Sequence, residues 1–235
     1  MSRKPGPMLG LLMLDTRFSR PPGDIGHPQT FGFAVRRRVV AGATATRVVR
    51  DRDPAVLAPF IRVARALVTE GCEAIATSCG FLSLWQRELQ SALPVPVWTS
   101  SLLELARLQS GSQSQSQSQA PRARCGVITI DAASLTADHL RAVGADPLTP
   151  VEGIEVGSAL HRTLLDDLPT LDMDDAAAQV LAAAARLRKR HPDIDTLVLE
   201  CTNLPPYAEA LRHQTGLHVH DVVTMLNARV AGLRP

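Results

Sequence analysis

Aromatic residues are nearly missing from this chain: Phe, Tyr and Trp supply 3% of its 235 residues, so a core must rest on Val, Leu, Ile and Ala. Apolar residues still reach 45%, which excludes an intrinsically disordered chain and suits parallel sheets covered by Ala- and Leu-rich helices. Neither charge is in excess, with 25 basic against 23 acidic residues. The arginines that do gather, at Arg36, Arg37 and Arg38 and across Arg186, Arg188, Lys189 and Arg190, lack interleaved aromatics. The second group also falls at an expected helix C-terminus, where cations complement the dipole. Both groups read as surface charge, not as a nucleic-acid footprint. No apolar run is long enough to span a bilayer. The start joins basic residues to a Leu-rich stretch, but Asp15 and Arg17 follow at once with no small-residue cleavage site. A cytoplasmic protein that binds neither nucleic acid nor membrane is expected.

Cysteine is also scarce and unpatterned. The four present, Cys72, Cys79, Cys125 and Cys201, show neither CxxC spacing nor a zinc pattern, so no metal is expected and the thiols should be reduced. His218 and His220 form an HxH pair without a third ligand, which is weak as a metal site. Cys72 and Cys125 each head an apolar strand and read as buried structural residues.

Short apolar runs alternate with helical segments, the pattern of a parallel α/β fold. Residues 8–14 form a first strand and 15–32 a long loop rich in Pro, Gly and Asp, in which the compact turn Gly23-Asp24-Ile25-Gly26 could form a lid. Strand fragments are expected at Val39–Val40 and over 46–49, a helix over 54–70, strands over 72–77 and 95–99, and helices over 81–92 and 102–109. The Ser–Gln alternation that follows has nothing to bury and reads as a linker over 110–122. A second series begins with a strand over 125–130. It continues with a helix over 134–143, a short strand at 148–151 and an Ala-rich helix over 174–190. A strand over 196–199, a helix over 205–215, a strand at 217–219 and a closing helix over 222–233 complete it. The expected organisation is a first α/β domain from 1–109 and 206–235, and a second from 123–205.

Cys79, in Thr77-Ser78-Cys79-Gly80, and Cys201, in Glu200-Cys201-Thr202-Asn203, each stand between an apolar strand and a helix. Ligands bind outside the carboxyl ends of the strands in open α/β sheets. A helix N-terminus offers free N–H groups that can hold a carboxylate and favour a thiolate. Two such thiols facing one substrate suit removal of a proton beside a carboxylate or carbonyl by one, and its return on the opposite face by the other. Neighbouring N–H groups would stabilise the enolate-like intermediate. A single cysteine after a buried strand is more often a packed residue; the duplication gives the catalytic reading its weight.

These paired motifs resemble those of the aspartate/glutamate racemase superfamily, which includes hydantoin racemases and maleate isomerases. Thr77-Ser78-Cys79 is similar to its first cysteine motif and Cys201-Thr202-Asn203-Leu204-Pro205 to its second. The resemblance implies two pseudo-symmetric flavodoxin-like domains, a cleft between them, and catalysis without pyridoxal phosphate or metal. Glutamate racemases carry His where this chain has Asn203, and their Asp-Ser-Gly start is absent. A small carboxylate or carbonyl compound other than glutamate or aspartate is therefore expected.

The expected catalytic residues are Cys79 and Cys201. Substrate contacts are expected from Asp15 and Arg17 after the first strand, from Thr77, Ser78 and Gly80, from Thr129 at the end of the second half's first strand, and from Thr202 and Asn203. Asp131 and Asp221 are further cleft candidates, and His27 reads as a surface loop residue. A cofactor-independent racemase or epimerase is the first reading. The alternatives are a cis–trans isomerase of an unsaturated diacid with one cysteine as nucleophile, and a non-catalytic carboxylate-binding protein. A homo-oligomer is left open.

Overall fold

A computed structural model describes residues 6–110 and 123–233; all but the first residue of the Ser/Gln-rich stretch lies outside the described residues. Eight short strands form two separate four-stranded sheets. The first comprises β1 (Met8–Met13), β2 (Ala34–Val39), β3 (Ala74–Thr77) and β4 (Val97–Trp98) in the order β2-β1-β3-β4. The second comprises β5 (Cys125–Thr129), β6 (Val151–Gly153), β7 (Thr196–Leu199) and β8 (His218–His220) in the order β6-β5-β7-β8. Every pairing is parallel. The two orders are the same pattern repeated, the start of the flavodoxin-like order. Each half is thus an α/β unit of the expected kind.

The inner strands are mostly apolar because both faces are covered. Every residue of β3, β5 and β7 is buried. The helices are α1 (Leu57–Thr69), α2 (Gln86–Ser91), α3 (Leu102–Ser110), α4 (Ala137–Ala142), α5 (Ala159–Leu165), α6 (Met173–Arg190), α7 (Ala208–Thr215) and α8 (Val222–Ala231). Helix α6 has the amphipathic spacing a surface helix needs: Ala176, Val180, Ala183, Ala184 and Leu187 are buried while Asp172 caps its N-terminus from its side chain.

The halves exchange one helix each. Helix α3 follows β4 but packs against β5 and β7, and Gln109 at its end bonds the Asp146 amide and the Thr149 hydroxyl of the second half. Helix α8 follows β8 but buries Val222, Met225, Leu226 and Val230 against Leu9, Leu11 and Trp98 of the first. This corrects the expected boundaries: β8 pairs with β7, so the chain returns to the first half after residue 220 and not at 206. Residues 102–109, placed in the first domain, pack on the second sheet. Periodicity reports which face of a helix is apolar and not which sheet covers it.

Two local expectations also change. The second strand is β2, earlier than Val39–Val40, and Thr46–Arg50 is one π-helical turn instead of a strand. That turn is held by Arg47, which pairs with Asp53 and donates to the Gly42 carbonyl at 2.7 Å. Strand β2 escapes an apolar-run search because it lies at a sheet edge and carries Arg36 and Arg38, both paired with Glu70. Charged residues on an edge discourage strand addition. The helix expected over 81–92 is split into a 3-10 segment, Gly80–Trp85, followed by α2.

Candidate active site

The loops after β3 and β7 meet at the carboxyl ends of the two sheets. Cys79 and Cys201, 7% and 6% exposed, face one small cavity that also reaches Ser78, Gly80, Thr202 and Asn203. Most of these polar groups serve to fasten the loops. The Thr77 hydroxyl donates to the Thr99 carbonyl at 2.7 Å and lies 3.0 Å from that of Cys79. The Ser78 hydroxyl accepts the Leu14 amide at 2.9 Å, and Thr202 donates to the Ser78 carbonyl at 2.7 Å, tying one cysteine loop to the other. Among the described residues no cluster of metal-binding side chains occurs, and no helix is long and apolar enough to cross a membrane.

The surroundings act on the thiols in opposition to the expectation from helix termini alone. Burial, with the Glu200 charge next, pushes Cys79 up to about 12, although the amides of Phe81 and Leu82 donate to its sulfur. Burial and Glu200 likewise push Cys201 well above the ordinary thiol range, with the Asn203 amide pulling the other way. Desolvation of a buried anion outweighs two or three N–H dipoles here. The same amides are placed to receive negative charge on a bound ligand.

The segment 15–32 folds over the second cysteine loop through a charged residue the sequence reading did not single out. Asp24, 1% exposed, accepts from Arg20 at 3.0 Å, from the Gly26 amide at 2.7 Å and from the Asn203 side chain at 2.6 Å. The Asn203 amide oxygen in turn lies 3.7 Å from the Cys201 sulfur, in position to accept its hydrogen. Arg20 also donates to Thr16 and stacks over Phe18, and it is the cation that borders the cavity. Replacing one partner of such a buried pair leaves the other charge uncompensated, which costs about 3–5 kcal/mol. Arg20→Gln should therefore lower unfolding stability by about 3 kcal/mol, whereas Arg17→Gln should change it by less than about 1 kcal/mol. Equal midpoints for the two variants in urea titrations would contradict this placement.

Four expected contacts do not border the cavity, the buried Thr77 among them. Asp15 is exposed and accepts the Gly42 amide. The Arg17 side chain is 86% exposed and pairs with Asp167. Thr129 is buried at the end of β5, where its hydroxyl donates to the Glu200 carboxyl at 2.7 Å and does not border the cavity. Asp131 turns its carboxylate back on its own loop, to the Ala133 amide and the Ser134 hydroxyl. Asp221 caps α8.

Apolar side chains close the cavity: Leu14, Phe18 and Val49 from one half, with Ile130, Leu164 and Leu165 from the other. The space within is about 30 Å³, on the order of one water molecule. That space is smaller than a ligand of several heavy atoms. A larger hollow of about 560 Å³ borders Arg124, Cys125 and Pro150, at the strands' amino ends, away from where α/β ligands bind.

No family model matches the chain. Comparison with solved structures places it beside a glycine-to-cysteine variant of arylmalonate decarboxylase in a sulfate-associated form, at TM-score 0.62 and 16% identity over 97% of this chain and 95% of that one. Allantoin racemase from Klebsiella pneumoniae superposes at TM-score 0.60 and 14% identity over 97% and 87%. A glutamate racemase from Bacillus anthracis superposes at 0.54 and 16% over 96% and 82%. The fold is that of the aspartate/glutamate racemases.

Sequence relatives carry a different label. The chain is 27% identical to a dimethylsulfoniopropionate lyase of Durusdinium sp. clade D, over 95% of this chain and 74% of the relative. It is 26% identical to dimethylsulfoniopropionate lyase 7 of Emiliania huxleyi, over 97% and 67%. The racemase fold thus occurs here in a chain whose similar sequences are named lyases.

Proposed function

We propose that the chain is an enzyme that removes a proton from the carbon beside the carboxylate of a small acid, with Cys79 and Cys201 as its proton-transfer groups. The observation that carries this reading is the meeting of both thiols in one cavity, each from the same position of an equivalent sheet. The Phe81, Leu82 and Asn203 amides would stabilise the enolate-like charge. Arg20, on the cavity border, would attract the carboxylate. Neither a metal nor pyridoxal phosphate is required for such a step.

The reaction we infer is elimination. The base takes the proton at the carbon beside the carboxylate, the released electron pair forms the carbon–carbon double bond, and the bond from the next carbon to sulfur breaks. On dimethylsulfoniopropionate the sulfur leaves with its electrons as neutral dimethyl sulfide, and acrylate remains. Two observations support this choice over an amino-acid substrate. The lyase relatives align along almost the whole chain. The walls contributed by Phe18, Val49, Leu164 and Leu165 also suit the methyl groups of a sulfonium.

Racemisation is the second reading, favoured by the duplication itself: elimination needs one base, whereas inversion needs one on each face. Purified protein is to be incubated with dimethylsulfoniopropionate and, separately, with single enantiomers of amino acids and hydantoins. Headspace gas chromatography reads sulfide release and chiral chromatography reads inversion. Sulfide release supports the lyase, and inversion without it supports the racemase. Turnover of neither class would overturn both.

A further inference from the structure

Glu200 is a buried ionisable group to which two-thiol chemistry gives no part. It is fully buried at the end of β7. One carboxyl oxygen accepts the Thr129 hydroxyl, and the other, Oε1, has no hydrogen-bond partner. That free oxygen lies against the Cα of Gly80, where even a methyl group would collide with it. Gly80 follows Cys79 and Glu200 precedes Cys201, so the carboxyl sits between the two cysteine loops. The ionisable groups around this point are Cys79 on the loop after β3 and Cys201 on its own loop, both sensitive to its charge. Beyond them lie Arg20 and Asp24 on the 15–32 segment, paired with each other, and the buried Tyr207, which feels Asp24 and Cys201. A buried carboxylate with one oxygen unsatisfied is costly, and a neutral acid much less so.

We propose that Glu200 is the proton partner of the two thiols: its carboxylate takes the proton of Cys79 or Cys201, so that carboxyl and thiols share a single negative charge. In that step an S–H bond breaks, an O–H bond forms, and the electron pair stays on sulfur, so no net charge enters the buried site. Glu200 touches no substrate and acts through the thiols. The sharing is an equilibrium and needs no direct contact. Its catalytic consequence rests on the proposed function; the proton sharing itself does not.

Burial pushes Glu200 up to about 7, with the Thr129 hydroxyl pulling the other way. The trio then titrates as a unit. On the acid side, thiolate grows about tenfold per pH unit. Once the first proton has left, near pH 7, carboxylate-with-thiol and acid-with-thiolate hold equal numbers of protons, and their ratio stops changing with pH. Thiolate rises again only when a second proton leaves.

The test is the pH dependence of modification by methyl methanethiosulfonate, a small thiolate-selective reagent, resolved for Cys79 and Cys201 by mass spectrometry. Wild-type protein should show a rise, a flat step beginning near pH 7, and a second rise. Glu200→Gln should climb without a step. An unbroken climb in the wild type overturns the proposal, as does a step that survives in Glu200→Gln. If Glu200→Gln does not fold, Thr129→Val removes the hydrogen bond that holds Glu200 down and should move the step to higher pH; an unmoved step overturns the proposal. No substrate enters the measurement, so its failure is distinct from failure of the proposed function.

Discussion

Serine in place of Cys79 or Cys201 is expected to lower turnover by about 10³-fold in at least one of the two variants, within the 10²–10⁴ range of positioned general-base catalysis. Serine keeps the size and the buried placement, so the fold should survive, and circular dichroism and the unfolding midpoint will show whether it does. What changes is the proton affinity of the group that meets the substrate. A hydroxyl in a cavity that already pushes Cys79 up to about 12 would hold its proton far more tightly. The two variants also separate the reactions. Inversion uses one thiol on each face, so both substitutions should cost alike when rates are taken from a single enantiomer. Elimination to a neutral thioether asks for one base, so one substitution should cost far more than the other. Folded variants that both keep wild-type rates would remove the thiols from the chemistry.

The second large effect is expected at a glycine. In Gly80→Ala the added methyl would collide with the Glu200 side chain and with its backbone carbonyl oxygen. A side chain can turn away, but the carbonyl belongs to the loop that carries Cys201 and cannot move alone. Overpacking of this kind costs about 1–3 kcal/mol or more, which for a chain of this length lowers the unfolding midpoint by about 2–4 °C per kcal/mol. Because Gly80 adjoins Cys79, turnover should fall together with stability. Gly32 is the control: nothing lies within 4 Å of a methyl there and its backbone is ordinary, so Gly32→Ala should change the midpoint by less than about 2 °C, from the small cost of such a surface site. Calorimetry that finds the two alanine variants equal would show that the cysteine loops are not in contact as described.

Much of this architecture was legible because it is local. An apolar run followed by a polar Cys loop and a helix needs only neighbouring residues to be recognised, and it occurs at Cys79 and again at Cys201. The residues that escaped notice are set by the third dimension. Arg20 and Asp24 lie in an irregular Pro- and Gly-rich segment with no periodicity to separate inward from outward positions, so Asp15 and Arg17, nearer the strand end, drew attention instead. Glu200 left a signal that could have been used: a carboxylate directly between the apolar run Leu197–Leu199 and a candidate catalytic cysteine cannot be solvated. Thr129 looked like a ligand contact because it ends a strand at the cleft, and only the position of Glu200 reveals where its hydroxyl goes. The exchange of α3 and α8 between halves is invisible to any window, since each helix has an apolar face that either sheet could cover.

The cysteine thiols also illustrate how competing terms decide a site. The sequence places each at a helix start, where amides favour thiolate, yet burial and Glu200 dominate in the folded chain. Both effects favour the protonated thiol.

The most direct test of the central claim follows the hydrogen itself. The substrate identified by sulfide release or by inversion is to be prepared with deuterium on the carbon beside its carboxylate, and offered to the wild type and to the Cys79→Ser, Cys201→Ser double variant. The expected result is slower turnover of the deuterated compound by the wild type, with deuterium lost from that carbon, and no turnover by the folded double variant. Turnover in which that carbon keeps every deuterium, or a double variant as fast as the wild type, would contradict proton removal by the paired thiols.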